Sequence, residues 1–221
     1  ILFQNRRGHT PFLQCGTCGY VAKCVNCDVS LTYHKTSHLL HCHYCGHSEQ
    51  NINVCPGCGM PHMESKGFGT ERIEEELEIL MPSLRIGRLD LDSTKGKYGF
   101  DKIISAFDDY EYDVLIGTQM VAKGLDFGRV SLIGIINADS IINFPDFRSY
   151  ERSYSLFSQV AGRAGRRQNQ GQVIIQTYTP NHRVLEQVVQ HDYEGMFMKE
   201  VTERKNFHYP PFYRLIKLDI K

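Results

Sequence analysis

Four Cys-x-x-Cys pairs lie within residues 15–58 and account for all eight cysteines of the chain. The pairs are Cys15/Cys18, Cys24/Cys27, Cys42/Cys45 and Cys55/Cys58. Two residues between thiols allow one tight turn to direct both sulfurs at a single cation. Four such turns supply eight ligands, the number that two tetrahedral Zn²⁺ sites require. The spacing therefore predicts two structural zinc ions.

Spacing alone leaves the grouping of the four pairs open. In a nested grouping, the two middle pairs form an inner site and the first and last pairs form an outer site. Grouping by adjacency along the chain stays possible, although we favour the nested one. Four disulfide bonds fit the spacing less well than metal coordination does, because the two thiols of a Cys-x-x-Cys pair rarely form a disulfide without strain. The nearby histidines are expected to be surface or supporting groups, and none is assigned as a metal ligand.

Composition narrows the class of protein. A chain of 221 residues with 41% hydrophobic residues supports a real core. Lys and Arg total 25 and so do Asp and Glu, so any nucleic-acid binding must be local. No apolar run approaches the roughly 18 residues of a membrane span, and the start lacks a signal-peptide pattern. We therefore expect a reducing cytoplasm and no membrane partner. Because the chain opens with the apolar run Ile1–Phe3 instead of Met, we also expect a fragment.

Strand and helix patterns alternate along the rest of the chain, which indicates a parallel sheet covered on both faces. Strands are predicted at 1–3, 85–91, 114–117, 130–136 and 173–177, and helices at 71–81, 100–107, 150–160 and within 182–206. The predicted fold class is α/β with an inserted zinc module. The predicted boundaries are a discontinuous α/β domain at 1–14 and 65–207, the zinc insertion at 15–64, and a linker with the start of another domain at 208–221.

A glycine- and arginine-rich string, Gln159-Val-Ala-Gly-Arg-Ala-Gly-Arg166, ends one of the predicted helices. Arg163 and Arg166 are three residues apart, and a guanidinium group donates two hydrogen bonds to a phosphate while staying charged. Taken alone, the string also fits an ordinary helix end, where arginine complements the helix dipole and glycine ends the turn. Its context has to decide between these interpretations.

A second string, Gly117-Thr-Gln-Met-Val-Ala-Lys-Gly-Leu-Asp-Phe127, follows a predicted buried strand, where α/β sheets place ligand-binding loops. Together the two strings resemble motifs V and VI of superfamily 2 helicases. The cysteine pairs between Phe3-Gln-Asn-Arg-Arg-Gly8 and Gly67-Phe-Gly-Thr-Glu71 are similar to those of the primosomal replication-restart DNA helicases. The resemblance implies the second RecA-like lobe of an ATP-dependent motor.

The resemblance also implies roles for individual residues. Arg163 and Arg166 would face the γ-phosphate of ATP, one as an arginine finger, and Gln159 would couple nucleotide to lobe closure. Asp126 and Gly124 would lie on the nucleotide side, and Thr118, Gln119 and Lys123 near the DNA backbone. Several of these residues also have an ordinary structural interpretation when they are considered singly. Thr118 and Asp126 fit turn caps, Lys123 fits a solvated side chain, and Gly124 fits a position with positive φ.

The phosphate loop and the acidic box of such motors have no candidate in this sequence. We therefore expect the chain alone not to hydrolyse ATP. Within the complete enzyme, the resemblance implies ATP with Mg²⁺, 3′–5′ unwinding, and restart at stalled forks in the bacterial cytoplasm, at the nucleoid. The implied partners are fork and single-stranded DNA, the enzyme's own first lobe, primosome proteins and single-stranded-DNA-binding protein.

Two other classes remain as alternatives. One is a freestanding zinc-ribbon module that binds protein or single-stranded DNA without motor activity. The other is a thioredoxin-like redox protein, which needs only one Cys-x-x-Cys pair. Four pairs without a leftover cysteine favour metal coordination over the redox class.

Overall fold

The computed structural model describes residues 1–4, 12–34, 38–61, 63–65, 70–90, 93–94, 98–122, 130–165 and 171–216. In chain order, the strands in these ranges are β1 (Leu2–Gln4), β2 (Leu13–Cys15), β3 (Thr32–His34), β4 (Leu39–His41), β5 (Ser48–Gln50), β6 (Met63–Ser65), β7 (Ile86–Leu89), β8 (Val114–Gly117), β9 (Leu132–Ile136) and β10 (Gln172–Ile175). The helices are α1 (Thr70–Leu80), α2 (Gly99–Asp108), α3 (Gln119–Ala122), α4 (Asp139–Ile142), α5 (Ser149–Ala161), α6 (Arg183–Gln190) and α7 (Tyr193–Asn206).

A parallel sheet of five strands organises the α/β part of the chain, in the order β10-β9-β1-β8-β7. Its central strands are short apolar runs, because a parallel strand is buried on both faces. Leu115, Ile116, Ile133 and Ile135 are all buried. The predicted α/β class with a parallel sheet is confirmed.

The five longer helices begin and end close to the positions that the sequence patterns predict, whereas the four-residue helices α3 and α4 were not predicted. Helix α1 starts at the fully buried Thr70, and Ile73 on the same helix is buried as well. Helix α5 is amphipathic and buries Tyr154, Phe157 and Val160, which recur at the spacing of one helix face. None of the helices in the described residues is long and apolar enough to cross a membrane.

The chain folds into two compact units. The first unit comprises Ile1–His9, Gly67–Ser140 and Ser155–Thr177, and it contains the five-stranded sheet. The second unit comprises Thr10–Lys66, Ile141–Tyr154 and Tyr178–Lys221. The domain boundaries given by the sequence patterns stay a prediction.

The second unit carries all eight cysteines in the chain segment between β1 and α1. Strands β2 and β6 pair antiparallel and bring the two ends of this segment together. Strands β3, β4 and β5 form a small antiparallel sheet between them. The core under these strands is built from Leu13, Val29, Leu31 and Leu40 together with Tyr209 from the far end of the chain.

Candidate metal centres and nucleotide-binding strings

The four Cys-x-x-Cys turns share one backbone geometry. In each turn, the amide four residues after the first cysteine donates to that cysteine's carbonyl, at 2.8–3.0 Å. The first cysteine's own amide donates to the carbonyl five residues further on, again at 2.8–2.9 Å. These paired bonds close a tight loop whose two sulfurs point in the same direction.

The residue at the fourth position after the first cysteine has a positive φ in every turn. Gly19, Gly46 and Gly59 have φ of +77°, +74° and +73° there, and Asp28 has +52°. The left-handed conformation costs glycine little and is tolerated by aspartate, whose short side chain bonds locally. The chain therefore carries four copies of one metal-knuckle turn.

The eight sulfurs gather into two clusters in nested order. Cys15, Cys18, Cys55 and Cys58 form an outer cluster, and Cys24, Cys27, Cys42 and Cys45 form an inner cluster. Within each cluster the sulfurs lie within 4.8 Å of one another. The Cys15–Cys58 and Cys18–Cys55 sulfur separations are 3.6 Å, and that of Cys24–Cys45 is 3.5 Å. A tetrahedral Zn²⁺ with bonds of about 2.3 Å holds its sulfurs about 3.8 Å apart, so both donor sets fit zinc.

Backbone amides around the outer cluster favour thiolates, the form that binds metal. The hydrogen bonds of the backbone N–H groups of Cys18 and Thr17 lower the pKa of the Cys15 thiol to about 6. The Met60 amide acts in the same direction on Cys58, but burial and the neighbouring thiols outweigh it and raise the pKa of Cys58 to about 12. The Gly57 amide donates to the Cys55 sulfur at 3.3 Å. No histidine joins either cluster among the residues that the structure describes.

The inner cluster is part of the core of the second unit. Cys24 and Cys42 are buried in that core. The hydroxyl of Tyr209 donates to the Cys27 carbonyl at 3.0 Å, and its ring stacks on Phe147 with centroids 4.6 Å apart. Tyr44, between two ligands of the inner cluster, meets both rings edge-on, at 5.7 Å from Tyr209 and 6.1 Å from Phe147. Both inner turns therefore contact one aromatic group.

Thr118 and Gln119 lie where β8 ends, at the carboxyl ends of the parallel strands. The Thr118 amide donates to the Leu89 carbonyl at 3.4 Å, and the Thr118 carbonyl accepts from Val121 at 3.1 Å. A Cβ on Gly117 would lie 2.2 Å from Val121 Cγ1, so only glycine lets α3 fold back this closely. The turn thus places Thr118 at the carboxyl edge of the sheet, the edge at which open α/β sheets bind ligands.

Gln159 and Arg163 lie at the other end of the sheet. Gln159 is exposed on α5 and donates to Ser155 Oγ at 3.2 Å. Arg163 follows in the turn after the helix, where its amide donates to the Val160 carbonyl at 3.1 Å. The Gly165 amide donates at 3.0 Å to the carbonyl of Val130, two residues before β9. The structure therefore holds Thr118 and Arg163 at opposite ends of the strands.

Four of the predicted site residues are outside the described part of the chain. They are Lys123, Gly124, Asp126 and Arg166. Their roles stay predictions.

Sequence analysis assigned no role to two buried aspartates at the carboxyl ends of strands. Asp90 accepts from Thr70 Oγ1 at 2.5 Å and lies 3.1 Å from Arg88 Nε. Asp139 accepts from Thr177 Oγ1 at 3.2 Å. Asp90 directly follows β7, and Asp139 follows β9 by three residues. An acidic residue close behind a predicted strand is the signal that could have marked both positions.

Comparisons with known proteins agree with these features. Residues 24–50 match the family described as PriA DNA helicase Cys-rich region (CRR) domain, and residues 67–168 match the helicase conserved C-terminal domain. The Replication restart protein PriA of Bacillus subtilis is 47% identical over 215 residues, 97% of this chain. The chain belongs to the PriA replication restart family.

Other PriA proteins are similar over the same extent. That of Synechocystis is 47% identical over 222 residues and covers 99% of this chain, and that of Chlamydia pneumoniae is 40% identical over 219 residues and covers 98%. The chain spans only 27% of the length of the first two relatives and 29% of the third. The predicted fold class, a helicase C-terminal lobe with two inserted Cys₄ clusters, is confirmed by these matches and the geometry.

Proposed function

We propose that this chain is the C-terminal lobe of an ATP-dependent 3′–5′ DNA helicase that acts in replication restart and primosome assembly at stalled forks. The observation that supports it most is the identity of 47% with a Replication restart protein PriA along 97% of the chain. A match of this extent includes both Cys₄ clusters and both loop strings, so it favours the motor over a freestanding zinc-binding module.

In this proposal the turn after α5 serves the nucleotide. Arg163 and Arg166 neutralise the charge that develops on the transferring γ-phosphoryl group, and one of them acts as the arginine finger. Gln159, one turn earlier on α5, couples the nucleotide to lobe closure. Asp126 and Gly124 complete the nucleotide side.

The carboxyl ends of the strands serve DNA in the same proposal. Thr118, Gln119 and Lys123 contact the phosphate backbone of one strand, which positions DNA without reading its sequence. Because Thr118 and Arg163 lie at opposite ends of the sheet, the lobe can hold DNA and nucleotide at the same time. Opening and closing against the first lobe then shifts the grip on the strand.

The two Cys₄ clusters hold two structural Zn²⁺ ions. Zinc with four thiolate ligands has no open position for water, so these ions stabilise the fold and take no part in hydrolysis. Their ligands are the eight cysteines of the outer and inner clusters.

The remaining parts of the motor come from outside this chain. The enzyme's own first lobe supplies the phosphate loop and the acidic box that holds Mg²⁺. Fork DNA, single-stranded DNA, primosome proteins and single-stranded-DNA-binding protein are the proposed partners, in the bacterial cytoplasm at the nucleoid.

Alanine substitutions in the full-length protein test the arginine roles. We expect at least one of the variants Arg163→Ala and Arg166→Ala to lower ATP turnover with fork DNA by about 10³-fold, the scale of a lost arginine finger. Arg152→Ala is the matched control, since this guanidinium on α5 is 52% exposed and pairs with Asp146 at 2.6 Å. Unchanged zinc content and circular dichroism establish that the variants fold. Undiminished turnover in both arginine variants would refute the assignment.

A further inference from the structure

One row of paired residues crosses the five-stranded sheet on a single face. In strand order from β7 to β10, the row is Arg88, Ile116, Leu2, Gly134 and Ile174. Residues paired in parallel strands point to the same side of a sheet. The solvent exposure of these five residues therefore shows which parts of that face are covered, from one edge of the sheet to the other.

Helix α1 covers the β7 and β8 end of the row. The Arg88 guanidinium donates to Glu74 of α1 at 2.9 Å and lies 3.6 Å from Glu71. Ile116, next in the row, has no exposed surface. Helix α1 thus shields this face of β7 and β8 from solvent.

The β9 and β10 end of the same face is open to solvent. Ile174 is 58% exposed, and Leu132, two residues before Gly134 on the same face, is 44% exposed. On β9, the neighbours on the opposite face, Ile133 and Ile135, are only 0% and 1% exposed. On the edge strand β10, the corresponding neighbours of Ile174, which are Val173 and Ile175, are half-buried. The exposure is therefore greater on one face of both strands, and on β9, which is not an edge strand, it is confined to that face.

We infer that this apolar strip, Leu2, Leu132, Gly134 and Ile174, is the docking surface for one further amphipathic helix of the same polypeptide, from outside residues 1–221. Strands lie about 4.8 Å apart and packed helices about 8–10 Å apart. One helix therefore covers about two strands. With α1 over β7 and β8, one more helix beside it closes the face over β9 and β10.

The length of the relatives supplies the source of this helix. The chain spans 27% of the Bacillus subtilis relative, so most of that polypeptide lies outside the described fold. The strip carries no charged side chain, and its exposed polar neighbour on the same face is Gln172, which pairs with Leu132. This composition suits the apolar face of an amphipathic helix. Neither ATP nor DNA binding is needed for this packing, so it stands apart from the function proposed above.

Hydrogen exchange on residues 1–221 and on the full-length protein tests the inference. We expect the amides of β9 and β10 to exchange about tenfold or more slowly in the full-length protein, because a covering helix makes local opening rarer. Equal exchange in the two proteins would overturn the inference.

Substitutions on the strip separate the possible occupants. Ile174→Glu and Leu132→Glu should remove the extra protection in the full-length protein while leaving exchange in residues 1–221 unchanged. Ile174→Leu is the control and should keep the protection. Suppose instead that residues 1–221 dimerise in sedimentation, and that the Glu variants abolish the dimer but leave the full-length protein unaffected. A second copy would then be the occupant, and the inference would fall.

Discussion

At the scale of single residues, backbone conformation constrains the metal turns as strongly as the cysteines do. Each turn needs one left-handed residue at a fixed place, and three of the four positions use glycine. Two of these glycines have nearly the same φ but different surroundings. A Cβ on Gly46 would meet nothing within 4 Å, whereas one on Gly19 would lie 2.6 Å from Tyr178 Cβ.

This difference predicts unequal effects of alanine at the two glycines. Gly46→Ala should lower the free energy of unfolding by about 1 kcal/mol, the cost of placing a Cβ in the left-handed region. Gly19→Ala should cost about 1–3 kcal/mol more, because the added methyl group overpacks the site against Tyr178. Urea unfolding of the zinc-loaded protein measures both. Equal losses would contradict the steric explanation.

Glu200 on α7 predicts a pH dependence of stability. Burial, reinforced by the neighbouring charge of Glu203, raises the pKa of Glu200 to about 7, although Arg183 lies 3.6 Å away and opposes the shift. Arg204 and Glu151 also act on it. The folded state therefore holds this proton more tightly than the unfolded state, whose pKa is about 4.3. The contribution of Glu200 to stability is full below that value and is lost as pH rises through about 7.

Glu200→Gln isolates this contribution from the thiols, which also titrate. The difference in unfolding free energy between the Gln variant and the unmodified protein should grow in favour of Gln from pH 5 to pH 8. Urea unfolding at saturating zinc across this range provides the measurement. A difference that is flat, or that shrinks with pH, would show that the folded protein does not retain the proton.

At the scale of elements, the two Cys₄ clusters have the same turns but different surroundings. The inner cluster places Cys24 and Cys42 in the core of the second unit, next to Tyr209 and Phe147. In the outer cluster, Cys15 and Cys55 are buried as well, but they are not part of that core, and Val54 and Met60 beside the last turn are exposed. Loss of metal should therefore disturb the fold more at the inner cluster.

Serine substitution of one exposed ligand in each cluster compares the two sites. Cys45 and Cys58 are both exposed, so their own burial does not bias the comparison. Each variant should lose about one zinc per chain. Cys45→Ser should lower the free energy of unfolding by about 2 kcal/mol more than Cys58→Ser, the scale of one loosened core side chain. Zinc analysis and urea unfolding of both variants measure these effects. A larger loss of unfolding free energy for Cys58→Ser would show that the outer cluster matters more to the fold.

At the scale of the whole molecule, local patterns predicted much of the fold. Hydrophobic periodicity and turn residues placed the five strands of the parallel sheet and the longer helices closely, but strands β2 to β6 and the short helices α3 and α4 were not predicted. Cys-x-x-Cys spacing favoured the nested clusters that the structure has. These signals come from residues near one another in the chain. The aromatic group of Tyr44, Phe147 and Tyr209 was not predictable, because its members are more than sixty residues apart and carry no spacing rule. The separation of Thr118 from Arg163 likewise emerges only from the assembled sheet.

The core around the inner cluster joins three stretches of chain. Phe147 comes from the stretch before α5 and Tyr209 from the stretch after α7, while the cysteines lie between β1 and α1. The cysteine-rich segment therefore does not supply the whole of its own core. Grafted onto another scaffold, it would lack the rings of Phe147 and Tyr209 that pack beside its inner cluster.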